Sequence, residues 1–435
     1  AGDRSDRNTL IIDISGARLA LPQGETFRAE NPATGITSVT ASQLDTNTIR
    51  VRVTGETQIP SASVTASPSG LVVSVTPQSE LNIIVTAQKS EESIQNVPAS
   101  ITAVTGRQVQ DSGITSSQDI PRLVPNFSIL ETGNRSRSSF NIRGLGNIPS
   151  INTSGGSSIG FYVDDVPYSD WFSFQSSLTD IERIEVLRGP QGTLYGQNTQ
   201  GGVVNIVTRA PTNLWEVRGS TSYGSPGLRE NQLTVKGPVD ENVFFSLSGL
   251  YSERDGFVRN TLLDELADYR QSLALRGQLR WLSPQNDWDV RLGINYQESN
   301  DGGFTFVPFD DGDRREVAQD FLGKNHSAGN DQSLRVFYNG SGIRFTSITA
   351  RREFRNSPSS GDGDSTPLAI VNANVDVNTL KWSQEFRLQS PENAGRLQWL
   401  VGAYYEYKET GVDVNVTFGP DAATFGFPPA SSQKC

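Results

Sequence analysis

The chain has 435 residues, which is enough for two or three folded units rather than one. Only 35% of the residues are hydrophobic, and no stretch approaches the roughly 18 consecutive apolar residues of a membrane-spanning helix. A formal net charge of −11 without a basic block argues against nucleic acid as a partner. One His and one Cys leave little material for a metal site or a disulfide framework. Helical membrane proteins are therefore excluded, whereas a β-barrel is not, because its strands are apolar only at every second residue.

The first 76 residues predict a small β-domain. Leu10–Ile14 is an apolar-rich strand, Ile49–Val53 alternates apolar residues with arginine, and Leu71–Val75 is a third strand. Pro60–Gly70 is rich in Ser, Thr and Pro and reads as linker. The segments LIIDISGARLALP and TIRVRVTG together resemble the AMIN domain, a β-module of envelope proteins that is thought to associate with peptidoglycan. A generic fragment of a β-sandwich is the alternative.

Residues 91–210 predict a compact α/β unit. Ile101–Val104 reads as a strand, and Thr105–Asp111 and Ser116–Leu123 read as short helices. Further on, short β-rich pieces alternate with Gly-rich turns; these pieces are Gly160–Val163, Ile184–Leu187 and Val203–Thr208. Glycines such as Gly189 and Gly202 permit the tight turns that this pattern needs.

Six motifs in this unit occur in one order and spacing: NVPASITAV, LVPNFSI, IRGLGN, YVDDVP, IERIEVLRGPQGTLYG and GGVVNIVT. Together they resemble the plug domain of TonB-dependent outer-membrane receptors, over about residues 82–210. The resemblance implies a plug inside a large barrel, and a receptor energised by the TonB complex of the inner membrane.

A short apolar run precedes the plug, within a predicted linker at residues 77–90. It is extended, β-prone and flanked by polar residues, and such a segment can add as a strand to the sheet edge of a partner. By resemblance it is the TonB box, formed by Ile83, Ile84, Val85, Thr86 and Ala87. An ordinary edge strand is the alternative.

Residues 211–435 predict antiparallel strands with alternating faces. Leu273, Leu275, Leu279 and Trp281 share one face, and Arg276, Gln278 and Arg280 share the other. Alternation alone does not distinguish a β-sandwich from a membrane barrel. Connection lengths favour the barrel, because short turns at 237–242, 283–287, 339–342 and 391–395 alternate with long connections at 253–269, 299–331 and 355–377. Trp281 and Trp288 flank one short turn, as an interfacial aromatic belt requires.

The predicted fold class is therefore a multi-domain chain with a small N-terminal β-domain, an α/β plug and antiparallel transmembrane β-barrel strands. Roughly nine or ten strands are expected between Trp215 and Phe418, whereas a plugged transporter has about 22 strands. We therefore expect an incomplete 22-stranded barrel and a C-terminally truncated receptor.

The resemblance implies three plug apices that face the outside and contact ligand, at Thr132–Arg137, Gly146–Ile151 and Asp170–Phe174. Exposed aromatic side chains in the third apex are costly unless something binds them, although packing against the barrel wall is the alternative. Arginines in the first apex could attract an anionic chelate. The ligand-binding candidates are Arg135, Arg137, Asn147, Ile148, Trp171, Phe172 and Phe174.

The resemblance also implies ion pairs between plug arginines and carboxylates of the barrel wall. Arg143 and Arg188 are the plug arginines, and Glu385 is the candidate wall partner. Around Arg188, the charged run of Glu182, Arg183 and Glu185 reads alternatively as a solvated face. Asp164–Asp165 is a carboxylate pair, but neighbours on a strand point to opposite faces, so we expect no convergence and no catalysis.

The leading hypothesis from the sequence is an outer-membrane receptor that imports a ferric siderophore with energy from the TonB complex, its N-terminal domain lying in the periplasm. Its partners would be TonB, the chelate, outer-membrane lipid and, through the first domain, peptidoglycan. No enzyme, protein cofactor or metal site is expected, since the iron travels within the ligand. Alternatives are import of cobalamin, another metal chelate or an oligosaccharide, and a periplasmic envelope-anchoring structural protein.

Overall fold

The computed structural model describes residues 8–19, 26–33, 36–55, 60–67, 70–76, 83–130, 138–146, 157–168, 177–196, 198–303, 315–391, 394–427 and 432–434. The chain forms two compact units. One comprises Ala1–Thr86 with Ser90–Val97, and the other comprises Ala87–Lys89 with Pro98–Cys435.

The first unit is built from eight strands in the described residues: β1 Thr9–Ser15, β2 Thr26–Ala33, β3 Ile36–Asp45, β4 Thr48–Gly55, β5 Ser61–Ser67, β6 Gly70–Thr76, β7 Ile84–Val85 and β8 Glu92–Ser93. The antiparallel order β1-β4-β3-β2 makes a sheet, while β5–β6 and β7–β8 are separate pairs. A 3₁₀ turn spans Ile94–Asn96. On one face of the sheet, Arg50 and Asp13 form a bidentate ion pair, and on the other Val53 is fully buried.

The three strands expected in this domain are confirmed, but β2, β3 and β5 were not predicted. Pro60–Gly70 is not a linker, because Ser61–Ser67 pairs along its whole length with Gly70–Thr76. The backbone makes these ladders without needing apolar side chains, and Ser/Thr-rich strands therefore escape a search for hydrophobic alternation.

The second unit begins with the plug, whose elements are β9 Ile101–Thr105, α1 Gly106–Asp111, a 3₁₀ helix Ser117–Leu123, β10 Phe127–Leu130, β11 Ser139–Ile142, β12 Leu145–Gly146, β13 Ile159–Val163, β14 Val166–Pro167, β15 Ile181–Arg188, α2 Gly192–Tyr195 and β16 Gly202–Thr208. A capping box at Thr105 and Gln108 starts α1. The five-stranded sheet has the order β14-β13-β16-β15-β9, in which β13 and β16 are parallel. Its core contains Phe161, Ile184 and Ile206.

The rest of the chain contains β17 Glu216–Gly224, β18 Leu228–Asp240, β19 Val243–Arg254, β20 Arg259–Asn260, β21 Glu265–Leu266, β22 Arg270–Leu282, β23 Trp288–Gly302, β24 Glu316–Val317, β25 Lys324–Asn339, β26 Arg344–Asp362, β27 Val371–Gln389, β28 Leu400–Phe418, a 3₁₀ helix Pro420–Phe425 and β29 Ser432–Lys434. Ten of these strands form one antiparallel sheet, the wall sheet, while β20, β21 and β24 form a small sheet of their own. Nine of the ten lie between Trp215 and Phe418, in agreement with the predicted nine or ten strands.

The two faces of the wall sheet differ as the alternation predicts. Leu275, Leu279 and Trp281 are exposed on one face, whereas Gln278 and Asp289 on the other are buried towards the plug. Ile348 and Ala350 of β26 even belong to the core cluster of the plug. The described wall thus turns its polar face to the plug and its apolar face outward, as transmembrane barrel strands do. No helix in the described part of the chain is long and apolar enough to cross a membrane.

One rim of the wall has the expected short turns, among them 283–287. On the other rim, two of the three expected long connections are shorter than predicted. β26 continues to Asp362 and β27 starts at Val371, so eight residues join them instead of the expected 355–377. Strands of 19 residues extend well beyond the roughly ten residues that cross a bilayer, and near these ends Phe354 of β26 packs with Val375 and Val377 of β27.

Candidate functional site at the plug–wall interface

The link between β13 and β14 carries two adjacent carboxylates. Val163 pairs with Val166, which leaves Asp164 and Asp165 as a two-residue turn with φ of 52° and 67°. Two positive φ values define a type I′ turn, and Asp tolerates that conformation better than most residues. The two residues are therefore not in a strand, and the argument that alternation separates them was wrong. The turn points both carboxylates at basic partners.

Asp165 is bound by two cations from distant parts of the chain. Its Oδ1 accepts a hydrogen bond from Lys89 Nζ at 2.8 Å, and its Oδ2 accepts one from Arg387 Nη2 of β27 at 2.9 Å. Burial alone would raise the pKa of the Asp165 carboxyl, but Arg387 and Lys89 outweigh it and hold that pKa well below its ordinary value. Glu385 completes the group with an ion pair to Arg387 Nε at 2.8 Å.

Asp164 ties the turn to the last plug strand and to the wall. Its two oxygens accept hydrogen bonds from the Thr208 backbone N–H at 2.9 Å and from Thr208 Oγ1 at 2.7 Å. Arg335 of β25 lies 3.4 Å from Asp164 Oδ2 and is almost fully buried. Gln278 of β22 in turn donates to Thr208 Oγ1 at 2.8 Å. A single hairpin turn is therefore connected to three wall strands.

Tyr168, just after β14, forms a second contact group with the wall. Its hydroxyl donates to Asp331 Oδ2 at 2.8 Å, and Arg352 Nε donates to Asp331 Oδ1 at 2.9 Å. The Arg352 guanidinium lies 3.2 Å from the centroid of the Tyr168 ring and also donates to the Pro167 carbonyl. Burial and the Asp331 carboxylate raise the pKa of the Tyr168 phenol well above its ordinary value. This phenol therefore stays a hydrogen-bond donor across the physiological range.

Asp180, at the start of β15, forms the third contact group. Its Oδ1 lies 3.0 Å from Arg218 Nη2 of β17, and its Oδ2 lies 3.6 Å from Lys236 Nζ of β18. Asp180 and Lys236 are both almost completely buried. In each pair that joins Asp164, Asp165 or Asp180 to the wall, the plug supplies the carboxylate and the wall supplies the cation.

The predicted plug–wall ion pairs have the opposite polarity and are not formed among the described residues. Arg143 Nη2 donates to Ser100 Oγ at 3.0 Å, and Arg188 Nη1 contacts the Pro125 carbonyl at 3.4 Å, so both stay within the plug. Glu385 pairs with its own strand neighbour Arg387. Arg143 lies in a turn with φ of 53° and Arg188 ends β15, and sequence spacing does not reveal that both side chains contact the plug itself.

The nearby charged run is not a solvated face. Glu185 is fully buried in the middle of β15 and forms an ion pair with Arg183 at 2.7 Å. Asn205 of β16 donates to the same carboxylate at 3.3 Å. Arg183 and Glu185 therefore lie inside the plug, where a buried carboxylate is retained because it is paired and hydrogen-bonded, whereas Glu182 is exposed.

The predicted TonB box is paired in the structure, although we expected an unpaired segment. Ile84–Val85 forms a two-residue ladder with Glu92–Ser93, and Ile94 N–H donates to the Ile83 carbonyl at 2.9 Å. Ile84 is exposed, while Val85 and Ala87 are fully buried. Burial of Glu92 raises the pKa of its carboxyl. The role of the segment stays a prediction.

The predicted ligand apices lie outside the described residues. This applies to Arg135, Arg137, Asn147, Ile148, Trp171, Phe172 and Phe174.

Among the described residues, two cavities lie between the plug and the wall. One, of about 340 Å³, lies between the plug segment around Thr115 and Asp119 and wall residues such as Glu230, Arg270 and Glu298. The other, of about 530 Å³, is lined by Lys89, Tyr162, Tyr195, Arg387 and Tyr404, among others. Among the residues that the structure describes, no group of three or more His, Cys, Asp or Glu could hold a metal ion.

Comparison with known families identifies two domains in this chain. Residues 93–203 match the TonB-dependent receptor plug domain, and residues 3–75 match the AMIN domain. Both resemblances stated from the sequence are thereby confirmed: the chain carries an AMIN domain followed by a plug domain of the kind found in TonB-dependent receptors.

Parts of the chain are also similar to individual proteins of known name. The chain is 33% identical over 219 residues to the pesticin receptor of Yersinia pestis, covering 49% of the chain and 32% of that protein. It is 27% identical over 185 residues to a vitamin B12 transporter of Vibrio vulnificus, covering 41% of the chain and 29% of that protein. These two relatives are named as a receptor and a transporter.

The fold is also that of a solved receptor. The ferric yersiniabactin uptake receptor of Yersinia pestis superposes with a TM-score of 0.67 at 22% identity, over 74% of this chain and 50% of that one. The chain thus spans about a third of the length of the curated relatives and half of the solved structure. The predicted combination of N-terminal β-domain, plug and barrel strands is confirmed.

Proposed function

We propose that this protein is an outer-membrane receptor that binds a ferric siderophore and imports it with energy from the TonB complex. The observation that carries the proposal is the plug seated on the polar face of the wall sheet through the carboxylate–cation pairs of Asp164, Asp165 and Asp180. A plug that only sealed a barrel could be held by apolar packing. The Asp165–Arg387 pair borders a cavity through Arg387, and an ion pair that water can reach exchanges partners and so allows movement.

The named ligands of the similar proteins support an iron chelate as cargo. One solved structure of this fold is that of a ferric yersiniabactin uptake receptor, and a curated relative is the ferripyoverdine receptor of Pseudomonas aeruginosa, 26% identical over 252 residues. Deleting the gene and measuring growth on single ferric siderophores under iron limitation tests the proposal. Loss of growth on one siderophore, restored by the gene, is expected; unchanged uptake of every siderophore would contradict it.

The TonB box adds a second test of the same proposal. Val85→Pro removes the backbone N–H that strand addition to a partner would use, and proline fits poorly in a paired strand. We expect radioiron uptake to fall to background while siderophore binding to whole cells is retained. Val85→Ile keeps the N–H and the apolar volume and is the matched control. Normal uptake by Val85→Pro would contradict the role proposed for the TonB box.

Cobalamin is the second candidate cargo, favoured by the similarity to a vitamin B12 transporter. Competition distinguishes the two cargoes: unlabelled ferric siderophore should block binding of labelled ferric siderophore, and cyanocobalamin should not. The reverse result would assign the corrinoid instead.

A structural role in the envelope is the proposal from a different class, supported by the AMIN match at residues 3–75. Sedimentation of the purified protein with isolated peptidoglycan tests it. Co-sedimentation that is lost on deleting residues 1–76 would support anchoring as an additional role.

A further inference from the structure

Lys89 lies two residues after the predicted TonB box and is buried among plug and wall residues. Its side chain is 3% exposed, which is rare for lysine outside a specific site. The ammonium donates to Asp165 Oδ1 at 2.8 Å and lies 4.1 Å and 5.0 Å from the ring centroids of Tyr195 and Tyr162. One carboxylate and two aromatic faces therefore replace the water that this charge gives up.

The backbone of the same residue is fixed to the wall. Gln389 Nε2 of β27 donates to the Lys89 carbonyl at 3.0 Å. Two residues earlier on that strand, Arg387 binds the second oxygen of Asp165 at 2.9 Å. Lys89 thus contacts the plug through its side chain and the wall through its backbone, and both contacts converge on the Asp165–Arg387 pair.

Lys89 is joined to the TonB box by the backbone, so a force on the box is passed directly to Lys89. A pull on Ile83–Ala87 reaches Lys89 before any plug strand. Because Asp165 has two cations, withdrawal of Lys89 leaves the carboxylate paired with Arg387 alone. The loss weakens the hold on the β13–β14 turn without leaving a buried charge unpaired, and the adjoining cavity of about 530 Å³ offers space for the displaced side chains.

We propose that Lys89 is the coupling residue of the receptor: tension on the TonB box first breaks the contacts of Lys89 with Asp165 and Gln389, and the β13–β14 turn is then held to β27 by the Asp165–Arg387 pair alone. The inference rests on the proposed function for the origin of the tension. The anchoring itself is a property of the folded protein alone.

Hydrogen exchange on the purified protein in detergent tests the anchoring without any energy source. Lys89→Met keeps the length of the side chain and removes its charge. We expect exchange in residues 83–97 to accelerate by about tenfold, while β13 and β16 exchange as in the wild type. Lys236→Met removes another buried lysine, one that binds Asp180, and is the matched control that should leave residues 83–97 unchanged. Unchanged exchange in Lys89→Met would overturn the inference and leave the proposed function standing.

Measurements of siderophore uptake distinguish a coupling role of Lys89 from a purely structural one. In Lys89→Met we expect siderophore binding within about twofold of wild type and uptake reduced by about tenfold. Lys89→Arg keeps a cation for Asp165 and should recover most of the uptake. Wild-type uptake in Lys89→Met, or equal loss of binding and uptake, would overturn the coupling role. If Val85→Pro transports normally while the exchange result holds, the role proposed for the TonB box fails and the anchor remains.

Discussion

At the scale of single residues, the acidic turn of the plug is the most consequential feature. Asp164 and Asp165 are neighbours in sequence but bind different wall strands through Arg335 and Arg387. Positive φ at both positions allows this, because it turns the side chains out of the strand alternation. The aspartate doublet in YVDDVP was visible in the sequence, and so were the arginines at alternate positions of the wall strands. Their pairing was not, because 222 residues separate Asp165 from Arg387.

Asp165→Asn is expected to destabilise the folded protein by about 3 kcal/mol, because it leaves Lys89 and Arg387 buried without their shared carboxylate. Chemical denaturation of the purified protein in detergent measures the effect. Asp111→Asn, at an exposed position of α1, is the matched control and should change the free energy of unfolding by less than about 0.5 kcal/mol. Equal stability of the two variants would refute the importance of the pair.

The Asp165 carboxylate also makes the stability of the folded protein depend on pH in the acid range. The pKa of Asp165 is lower in the folded protein than the value of about 3.9 in an unfolded chain, so its contribution to stability is complete above that value. The contribution is lost as the pH falls below about 4 towards the folded pKa. The stability difference between wild type and Asp165→Asn should therefore be constant from neutral pH to about pH 5 and narrow below about pH 4. A difference that grew on acidification would contradict this assignment.

At the scale of elements, the plug sheet depends on a close approach between β15 and β16. Gly202 begins β16 opposite Arg188 with φ of 147°, and a Cβ there would lie 2.2 Å from the Leu187 carbonyl oxygen. The glycine-rich motif in the sequence indicated tight turns in this region. The structure adds that Gly202 is needed for backbone contact between strands and not for a surface turn.

Gly202→Ala should cost about 2–4 kcal/mol of stability, since both the steric overlap and the unusual φ must be relieved by moving backbone. Gly192→Ala is the control, because a Cβ at Gly192 has no neighbour within 4 Å and alanine favours the helix that begins there. Denaturation midpoints of the two variants should differ clearly. Equal midpoints would mean that the plug adapts at Gly202 without strain.

At the scale of the whole molecule, the wall sheet has an apolar face turned outward and a polar face turned to the plug. Its outward face exposes Leu247, Leu275 and Leu279, and its inward face buries Lys236 and Arg335 against plug groups. Trp281 and Trp288 mark the rim with the short turns, where Trp288 also packs on Tyr338 with ring centroids 4.7 Å apart. An apolar band bounded by aromatic side chains is the arrangement that a bilayer stabilises.

Leu279→Arg, on the apolar face, should cost about 2–4 kcal/mol in a bilayer and reduce the heat-resistant folded band after assembly into lipid vesicles. Leu262→Arg is the matched control, because Leu262 is exposed in the long connection after β20 and outside the wall strands. Similar folding yields for the two variants would contradict the lipid-facing assignment of β22.

The sequence by itself determined the strand faces, because these depend on local periodicity, and its motifs carried the resemblance to an AMIN domain and a plug. Only the tertiary structure decided which charges meet across the plug–wall interface. Tyr168 and Asp331 are 163 residues apart, and Lys89 and Gln389 are 300 apart. No local pattern specifies such pairs, because they depend on how the curved sheet places each inward side chain around the plug. That placement reversed the expected polarity, with carboxylates on the plug and cations on the wall.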